Sequence, residues 1–196
     1  MKKYSKITIL MLVALIFAFV SVSYAADAAA PAATPAAPAA AKKKPKKPLK
    51  YKAGAAVKDF KLKDGITKAE ISFENDIKGK AKVTALTFMT TACSACQAEI
   101  KLLSDLADKY GDDLAVWSVI VDVNGEKTVP AYDEKYGLNV RYLLDPDFSI
   151  PNKFGFTYTP SLAIMDKTGK VIYLKGGYSP NLDPENIIKA VKDALN

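Results

Sequence analysis

The sequence contains no histidine and only two cysteines among its 196 residues. A structural zinc site needs about four cysteine or histidine ligands, so these residue types cannot complete one here. Covalent haem attachment needs a histidine directly after the second cysteine of a C-x-x-C motif, and Gln97 stands there instead. These absences favour a redox role or a structural role for the two cysteines.

No apolar stretch reaches the roughly 20 residues that span a bilayer comfortably. The longest one, residues 7–20, follows three lysines and precedes the small-residue sequence Ser23-Tyr24-Ala25. This order predicts a signal peptide over residues 1–25, with an uncleaved N-terminal anchor as the alternative. In either case we expect a periplasmic or other extracytoplasmic protein, in a compartment where cysteine pairs persist as disulfides.

A low-complexity segment follows the predicted signal. Residues 26–41 are almost entirely alanine and proline, and residues 42–52 are mostly lysine. Such a composition cannot bury a core, so residues 26–52 are predicted to be a disordered linker. The net charge is +7, but ten lysines against one acid before residue 53 leave −2 for residues 53–196. The charge therefore gives no reason to expect nucleic-acid binding, and membrane association is expected only through an uncleaved N-terminus or the lysine-rich linker.

The two cysteines, Cys93 and Cys96, lie between a predicted strand and a predicted helix. Residues 83–88 are short, apolar and β-branched, as in a buried strand. Apolar residues then recur at helical spacing: Cys96, Ile100, Leu103, Ala107 and Tyr110. Cys93 is expected at the helix N-terminus, where unpaired N–H groups and the helix dipole favour a thiolate. The pattern predicts a redox-active dithiol. A purely structural disulfide stays possible, although so short a bridge removes little entropy from the unfolded chain.

The rest of the domain predicts a mixed sheet flanked by helices. The apolar run 114–121 completes a strand–helix–strand unit with parallel strands, and residues 161–165 and 171–174 predict a β-hairpin. Asp183 is expected to cap a terminal helix, with Pro184 at its first position. Shorter strands are predicted at 60–62, 69–73 and 141–144, a loop at 76–80, a helix at 129–136 after a polar loop at 122–125, and a helical turn at 151–156.

These features together resemble a known family. The C-x-x-C motif at a strand-to-helix junction, Thr159-Pro160 before the hairpin and the terminal helix are similar to the thioredoxin fold. Residues 53–196 also resemble the extracytoplasmic TlpA/ResA-type thiol-disulfide oxidoreductases, through Asp59-Phe60 near the start and the inserted segment 129–144. The resemblance implies an α/β thioredoxin-like domain with a redox-active disulfide, no other cofactor and no metal.

The resemblance also implies roles for individual residues. Cys93 would be the exposed nucleophile and Cys96 the buried resolving thiol. Pro160 would form a cis peptide with Thr159 and present backbone groups to a substrate segment, whereas an ordinary turn proline would be trans. Glu99 follows Cys96 by three residues, which on a helix puts it beside that thiol, where the family's acid tunes the thiols. A solvated surface charge is the alternative for Glu99.

Two positions depart from the family pattern. Ala92 stands where relatives usually carry tryptophan, so an exposed aromatic rim is expected to be missing. Thr87 stands where thioredoxins carry a buried aspartate, which places proton transfer on Glu99 or on water.

The expected function is disulfide exchange with protein thiol and disulfide substrates and with a membrane or periplasmic redox partner. The family also implies a reductant in cytochrome c maturation. The alternatives are a non-catalytic interaction module or a carrier of Cu(I), bound by both thiolates with Met89.

Overall fold

The computed structural model describes residues 50–196, so the predicted signal peptide and nearly all of the predicted linker lie outside the described residues. No helix in this part of the chain is long and apolar enough to cross a membrane. The strands of this region are β1 (Lys61–Asp64), β2 (Glu70–Ser72), β3 (Val83–Met89), β4 (Leu114–Ile120), β5 (Arg141–Leu144), β6 (Ser161–Asp166) and β7 (Val171–Gly176). Its α-helices are α1 (Ser94–Tyr110), α2 (Gly125–Tyr136), α3 (Ser149–Phe154) and α4 (Asp183–Leu195).

The strands of residues 50–196 form one mixed sheet in the order β2-β1-β5-β4-β3-β6-β7. Strands β3, β4 and β5 run parallel, while β6 is antiparallel to β3 and β7 is antiparallel to β6. The predicted strand–helix–strand unit and the predicted hairpin are therefore confirmed. Because β3 lies between β4 and β6, the loop after β3 lies between the loop that follows β4 and the loop that precedes β6.

Strand β3 is buried on both faces of the sheet. Val83 and Ala85 pack with residues of α1 and α4, whereas Leu86 and Phe88 pack with α3 on the opposite face. Truncating a fully buried residue such as Phe88 to alanine costs about 3–5 kcal/mol in a core of this kind. The strand that leads into the cysteines is thus held by the core on both faces.

Two helix starts differ from the predictions. Helix α2 begins at Gly125 instead of Val129, because the Thr128 N–H already donates to the Asn124 carbonyl at 3.1 Å. Gly125 is buried at this start, and a Cβ there would lie 3.1 Å from Ile120 Cγ2. A polar loop was expected from composition alone, and composition does not reveal such close packing. Asp183 is the first residue of α4 and does not cap it, since its carboxylate instead accepts the Ser179 N–H and pairs with Lys175.

Other boundaries shift by a few residues. β1 begins one residue after the predicted strand 60–62 and ends two residues later, and β2 is shorter than the predicted strand 69–73. α3 begins and ends two residues earlier than the helical turn predicted at 151–156. A π-helical turn, Phe73–Ile77, overlaps the start of the loop predicted at 76–80. This turn forms because the Ser72 hydroxyl accepts the Asn75 N–H and the Asp76 carboxylate accepts the Ser72 N–H.

Candidate active site

The cysteine pair occupies the turn between β3 and α1 and is joined in a disulfide. Cys93 is the N-cap of α1, with extended backbone, and its sulfur accepts the Cys96 N–H at 3.2 Å. Cys93 is partly exposed, whereas Cys96 is 1% exposed. A thiolate at Cys93 would meet the unpaired N–H groups and positive dipole end of α1. The pair therefore has one partly exposed cysteine and one buried cysteine, as predicted.

The segment before Cys93 is tied to the loop that follows the neighbouring strand β4. Thr91 donates both its N–H and its hydroxyl to the Asp122 carboxylate, each at 2.8 Å. The Gln97 side chain donates to the Thr91 carbonyl at 2.8 Å. Hydrogen bonds to a charged acceptor are stronger than neutral ones, so this network fixes the approach to the disulfide. Asp122 and Thr91 were not predicted as site residues; the available signal was a carboxylate at the C-terminal end of a parallel strand.

The second predicted segment, Thr159-Pro160, lies on the other side of β3. Its peptide bond is cis, as expected. Ser161 pairs with Phe88 near the end of β3, which brings Pro160 next to the segment that leads into Cys93. The Gly177 N–H donates to the Pro160 carbonyl at 2.7 Å, and this hydrogen bond ties the turn to the end of β7. The structure therefore brings the cis turn and the disulfide to the same edge of the sheet.

Glu99 lies inside the protein and not on its surface. Its exposure is 0%, and one carboxylate oxygen accepts the Thr87 hydroxyl at 2.7 Å. Its other oxygen, Oε2, has no hydrogen-bond partner among the described residues. Burial raises the pKa of the Glu99 carboxyl from 4.5 to about 7, and the Thr87 hydrogen bond opposes this increase. The structure thus removes the alternative of a solvated helix charge.

The charged neighbours of Glu99 come from β7 and the start of α4. Lys175 and Asp183 form an ion pair in which the aspartate is buried and the lysine is partly exposed. The Lys175 charge lowers the pKa of Glu99, and the Asp183 charge raises it. Burial raises the pKa of Tyr173 and of Tyr178, and both carboxylates add to the increase. Glu99 therefore titrates within a polar cluster that the sequence pattern did not indicate.

Met89, the third ligand of the predicted copper alternative, is fully buried at the end of β3. It belongs to the same apolar cluster as Cys96 and Ile100, with Cys93 packed against that cluster. Within residues 50–196, no three carboxylate or cysteine side chains lie close enough together to suggest a metal site.

Comparison with known proteins supports the fold. A family model, the AhpC/TSA family, matches residues 53–174, which is more than half of the chain. None of the curated proteins compared with the chain is significantly similar to it.

Three solved structures illustrate the likeness. A candidate thiol:disulfide interchange protein, DsbE, of Chlorobium tepidum is 21% identical with a TM-score of 0.64, covering 74% of this chain and 99% of that one. The exposed lipoprotein thioredoxin Etrx1 of Streptococcus pneumoniae is 24% identical with a TM-score of 0.53, covering 69% and 99%. StoA of Bacillus subtilis is 23% identical with a TM-score of 0.52, covering 69% and 98%. The predicted thioredoxin-like fold is confirmed, and the chain belongs to the AhpC/TSA family.

Proposed function

We propose that this protein is a thiol-disulfide oxidoreductase that exchanges disulfides with protein substrates through Cys93 and Cys96. The observation that carries the proposal is the asymmetry of the pair. Cys93 is partly exposed at a helix N-terminus beside a cis-proline turn, and Cys96 is buried in the core. Thiol-disulfide exchange needs an attacking thiolate that a substrate can reach and a second thiol that resolves the mixed disulfide.

The reaction of the reduced protein follows from this geometry. The Cys93 thiolate attacks one sulfur of a substrate disulfide, forms a mixed disulfide and releases the first substrate thiolate. The Cys96 thiolate then attacks the Cys93 sulfur, closes the Cys93–Cys96 disulfide and releases the second substrate thiolate. Two electrons pass to the substrate, whose two thiolates take up protons from water or from the protein. The oxidised protein runs the same steps in reverse with a substrate dithiol.

The main chain beside the disulfide suits an extended substrate segment. Among the described residues, no hydrogen bond occupies the N–H or the carbonyl of Thr159. Strand-like hydrogen bonds to such free groups are a common way to hold an extended peptide. Thr159 and Pro160 are therefore assigned to substrate binding, next to the sulfur that reacts.

Glu99 is assigned to proton handling and to control of the thiol charge. Its carboxyl lies one helical turn from Cys96 and has a pKa of about 7, so both protonation states are available near neutral pH. A general acid or base is most useful when its pKa lies near the working pH. When charged, Glu99 disfavours a second anion nearby and so restrains the Cys96 thiolate.

The finer form of the proposal is an extracytoplasmic reductant that acts in cytochrome c maturation. It is supported by the signal-like N-terminus and by the resemblance to TlpA/ResA-type proteins. One similar structure is that of an exposed lipoprotein thioredoxin. The partners expected are protein disulfides and a membrane or periplasmic donor of electrons, and the redox-active disulfide takes the place of a separate cofactor.

The experiment is reduction of insulin by the purified protein with dithiothreitol as electron source. The wild type should accelerate precipitation of the insulin B chain, and Cys93→Ser should not. A peptide with the sequence C-x-x-C-H and an internal disulfide tests the finer proposal, because the reduced protein should reduce that disulfide.

Copper titration of the reduced protein, compared with Met89→Leu, tests the copper alternative. Tight binding of Cu(I) that depends on Met89, together with no insulin reduction, would favour that alternative.

A further inference from the structure

Lys175 lies on the same face of the sheet as Thr87, the hydrogen-bond partner of Glu99. Thr87 on β3 is aligned with Leu162 on β6, and Leu162 is aligned with Lys175 on β7. Aligned residues of neighbouring strands share a face, and two strand spacings place the Cα atoms of Thr87 and Lys175 roughly 10 Å apart. The Glu99 carboxylate accepts the Thr87 hydroxyl, so it lies over this row. The long, flexible stem of a lysine can therefore bring its ammonium towards Glu99.

The Lys175 ammonium is held by the carboxylate of Asp183 at the start of α4. One oxygen of Asp183 lies 2.5 Å from the ammonium nitrogen, and the other accepts the Ser179 N–H at 2.7 Å. An ammonium has three N–H donors. Within residues 50–196, Asp183 is the only ion-pair partner of Lys175. The ammonium therefore has donors left for a second acceptor.

Glu99 offers an acceptor of this kind at its second oxygen. Glu99 Oε2 is buried and has no hydrogen-bond partner among the described residues. An ionised carboxylate in such a place is costly unless a cation pairs with it, whereas a protonated carboxyl is tolerated more easily. Burial raises the pKa of Glu99 to about 7, the Lys175 charge lowers it and the Asp183 charge raises it. The two members of the ion pair thus act on Glu99 in opposite directions.

A cleft between β7 and α4 exposes part of Lys175 to solvent. It has a volume of about 520 Å³, and Tyr173, Lys175, Asp183 and Asn186 contribute to its lining. The Lys175 side chain is 33% exposed and that of Asp183 is 7% exposed. A cation that keeps contact with water pays less desolvation when it pairs with a buried carboxylate. Lys175 therefore has solvent on one side and buried acceptors on the other.

The remaining titratable groups near Glu99 do not supply a cation. Tyr173 on β7 and Tyr178 in the loop before α4 have a raised pKa, first through burial and then through the two carboxylates, so both are neutral near pH 7. Cys96, one turn earlier on α1, is joined in the disulfide. Among the described residues, Lys175 is thus the one cation whose charge acts on Glu99.

We propose that Lys175 is the counter-ion of Glu99, pairing with Asp183 while Glu99 is protonated and turning to Glu99 Oε2 once Glu99 has released its proton. This inference rests on the proposed disulfide exchange and assigns positioning residues to its proton step. When a substrate dithiol reduces the disulfide, two electrons enter the cysteine pair, and Cys96 leaves as a thiolate that takes the proton of Glu99. Lys175 neutralises the resulting carboxylate, which later regains a proton from water. Asp183 competes for the same ammonium and so controls how readily Glu99 releases its proton.

The test follows the side-chain carboxyl carbon of Glu99 by ¹³C NMR in the oxidised protein, from about pH 4 to about pH 10. The signal is identified by its absence in Glu99→Gln. The sequence has no histidine and both cysteines are in the disulfide, so a carboxyl that titrates near neutral pH is readily assigned. In the wild type, the midpoint of this titration should lie at about pH 7.

Two variants break the same ion pair and should have opposite effects. Lys175→Met removes the counter-ion and should raise the midpoint to about pH 8, whereas Asp183→Asn frees the ammonium for Glu99 and should lower it to about pH 6. Lys175→Arg keeps the charge and should restore the wild-type midpoint. Lys189→Met is the matched control, because Lys189 lines the same cleft but pairs with Asp193 in an exposed ion pair. It should leave the midpoint unchanged.

The pH profile of insulin reduction extends the test to the reaction. Its inflection near neutral pH should move by about one pH unit, upwards in Lys175→Met and downwards in Asp183→Asn. When Glu99→Gln is already present, Lys175→Met should not change the profile further, because the counter-ion acts through Glu99.

Equal midpoints in the wild type and Lys175→Met would overturn the inference. A change in the same direction in both ion-pair variants would also overturn it, since that result indicates a general loosening of the structure. Failure of the proposed function looks different. In that case the wild type would not reduce insulin at any pH, while the NMR midpoints would still decide whether Lys175 is the counter-ion of Glu99.

Discussion

Replacing Glu99 with glutamine should stabilise the folded protein in alkaline solution. The substitution keeps the shape of a fully buried side chain, and the amide oxygen can still accept the Thr87 hydroxyl. It removes the carboxylate charge that the apolar surroundings disfavour. The effect should depend on pH, because a protonated Glu99 carries no charge and costs about as much free energy to bury as a glutamine.

The magnitude follows from the pKa of Glu99, which burial raises from 4.5 to about 7. A difference of this size corresponds to roughly 3 kcal/mol, at 1.36 kcal/mol for each tenfold change in proton affinity. Since the higher pKa belongs to the folded protein, folding favours the protonated carboxyl. The stability from Glu99 is fully present below about pH 4.5 and is lost as the pH rises through about 7. The free energy of unfolding of Glu99→Gln should therefore exceed that of the wild type by roughly 3 kcal/mol at about pH 8.5 and match it at about pH 4.

The assay is urea unfolding of the oxidised protein at these two pH values. Trp117 is the only tryptophan of the sequence and is buried, so its fluorescence reports on the core. Glu134→Gln is the matched control, because Glu134 is exposed on α2 and its replacement should change stability by less than about 0.5 kcal/mol. A stability difference between Glu99→Gln and wild type that is the same at both pH values would refute the reasoning.

Three further predictions concern the site. Cys96→Ser should accumulate mixed disulfides with substrate, detectable by non-reducing electrophoresis, whereas Cys93→Ser should accumulate none. Thr87→Val removes the hydrogen bond that lowers the pKa of Glu99, so that pKa should rise further and the urea-unfolding free energy above neutral pH should fall by about 1–3 kcal/mol; an unchanged pH dependence would contradict this. Asp122→Ala removes both hydrogen bonds to the segment before Cys93, so the free energy of unfolding should fall by about 1–3 kcal/mol. The melting temperature should fall accordingly, and insulin reduction should become slower. Unaltered melting and activity would show that the network does not matter.

The sequence was sufficient for the parts of the fold that depend on local pattern. The apolar run into Cys93, the helical stripe after it and the hairpin of β6 and β7 each fix an element from neighbouring residues alone. Two cysteines three residues apart at such a junction can only have unlike environments. The same local reasoning could not decide whether Glu99 is buried, because the i to i+3 spacing fixes its direction from Cys96 and not what packs over it.

The missed features depend on pairs that are distant in the chain. Asp122 meets Thr91 across 31 residues, through the parallel register of β3 and β4. The Lys175 charge acts on Glu99 only because the assembled sheet brings β7 close to α1. Gly176 makes room for Tyr158 by a contact that no pattern of residue types encodes. Such contacts follow from the assembled sheet, so the cysteines, Glu99 and the cis-proline turn were predictable from the sequence, whereas Asp122, Lys175 and Gly176 were not.

The reduction potential of the Cys93–Cys96 disulfide tests the central claim most directly. The native protein is equilibrated with mixtures of reduced and oxidised dithiothreitol, quenched with an alkylating reagent and analysed by mass. We predict one reversible two-electron transition in which both thiols become alkylated together, at a potential near the value of about −270 mV known for thioredoxin, as expected for a reductant. A much more positive potential would contradict the reductant assignment. A disulfide that opens only when the protein unfolds would contradict the claim of a redox-active pair altogether.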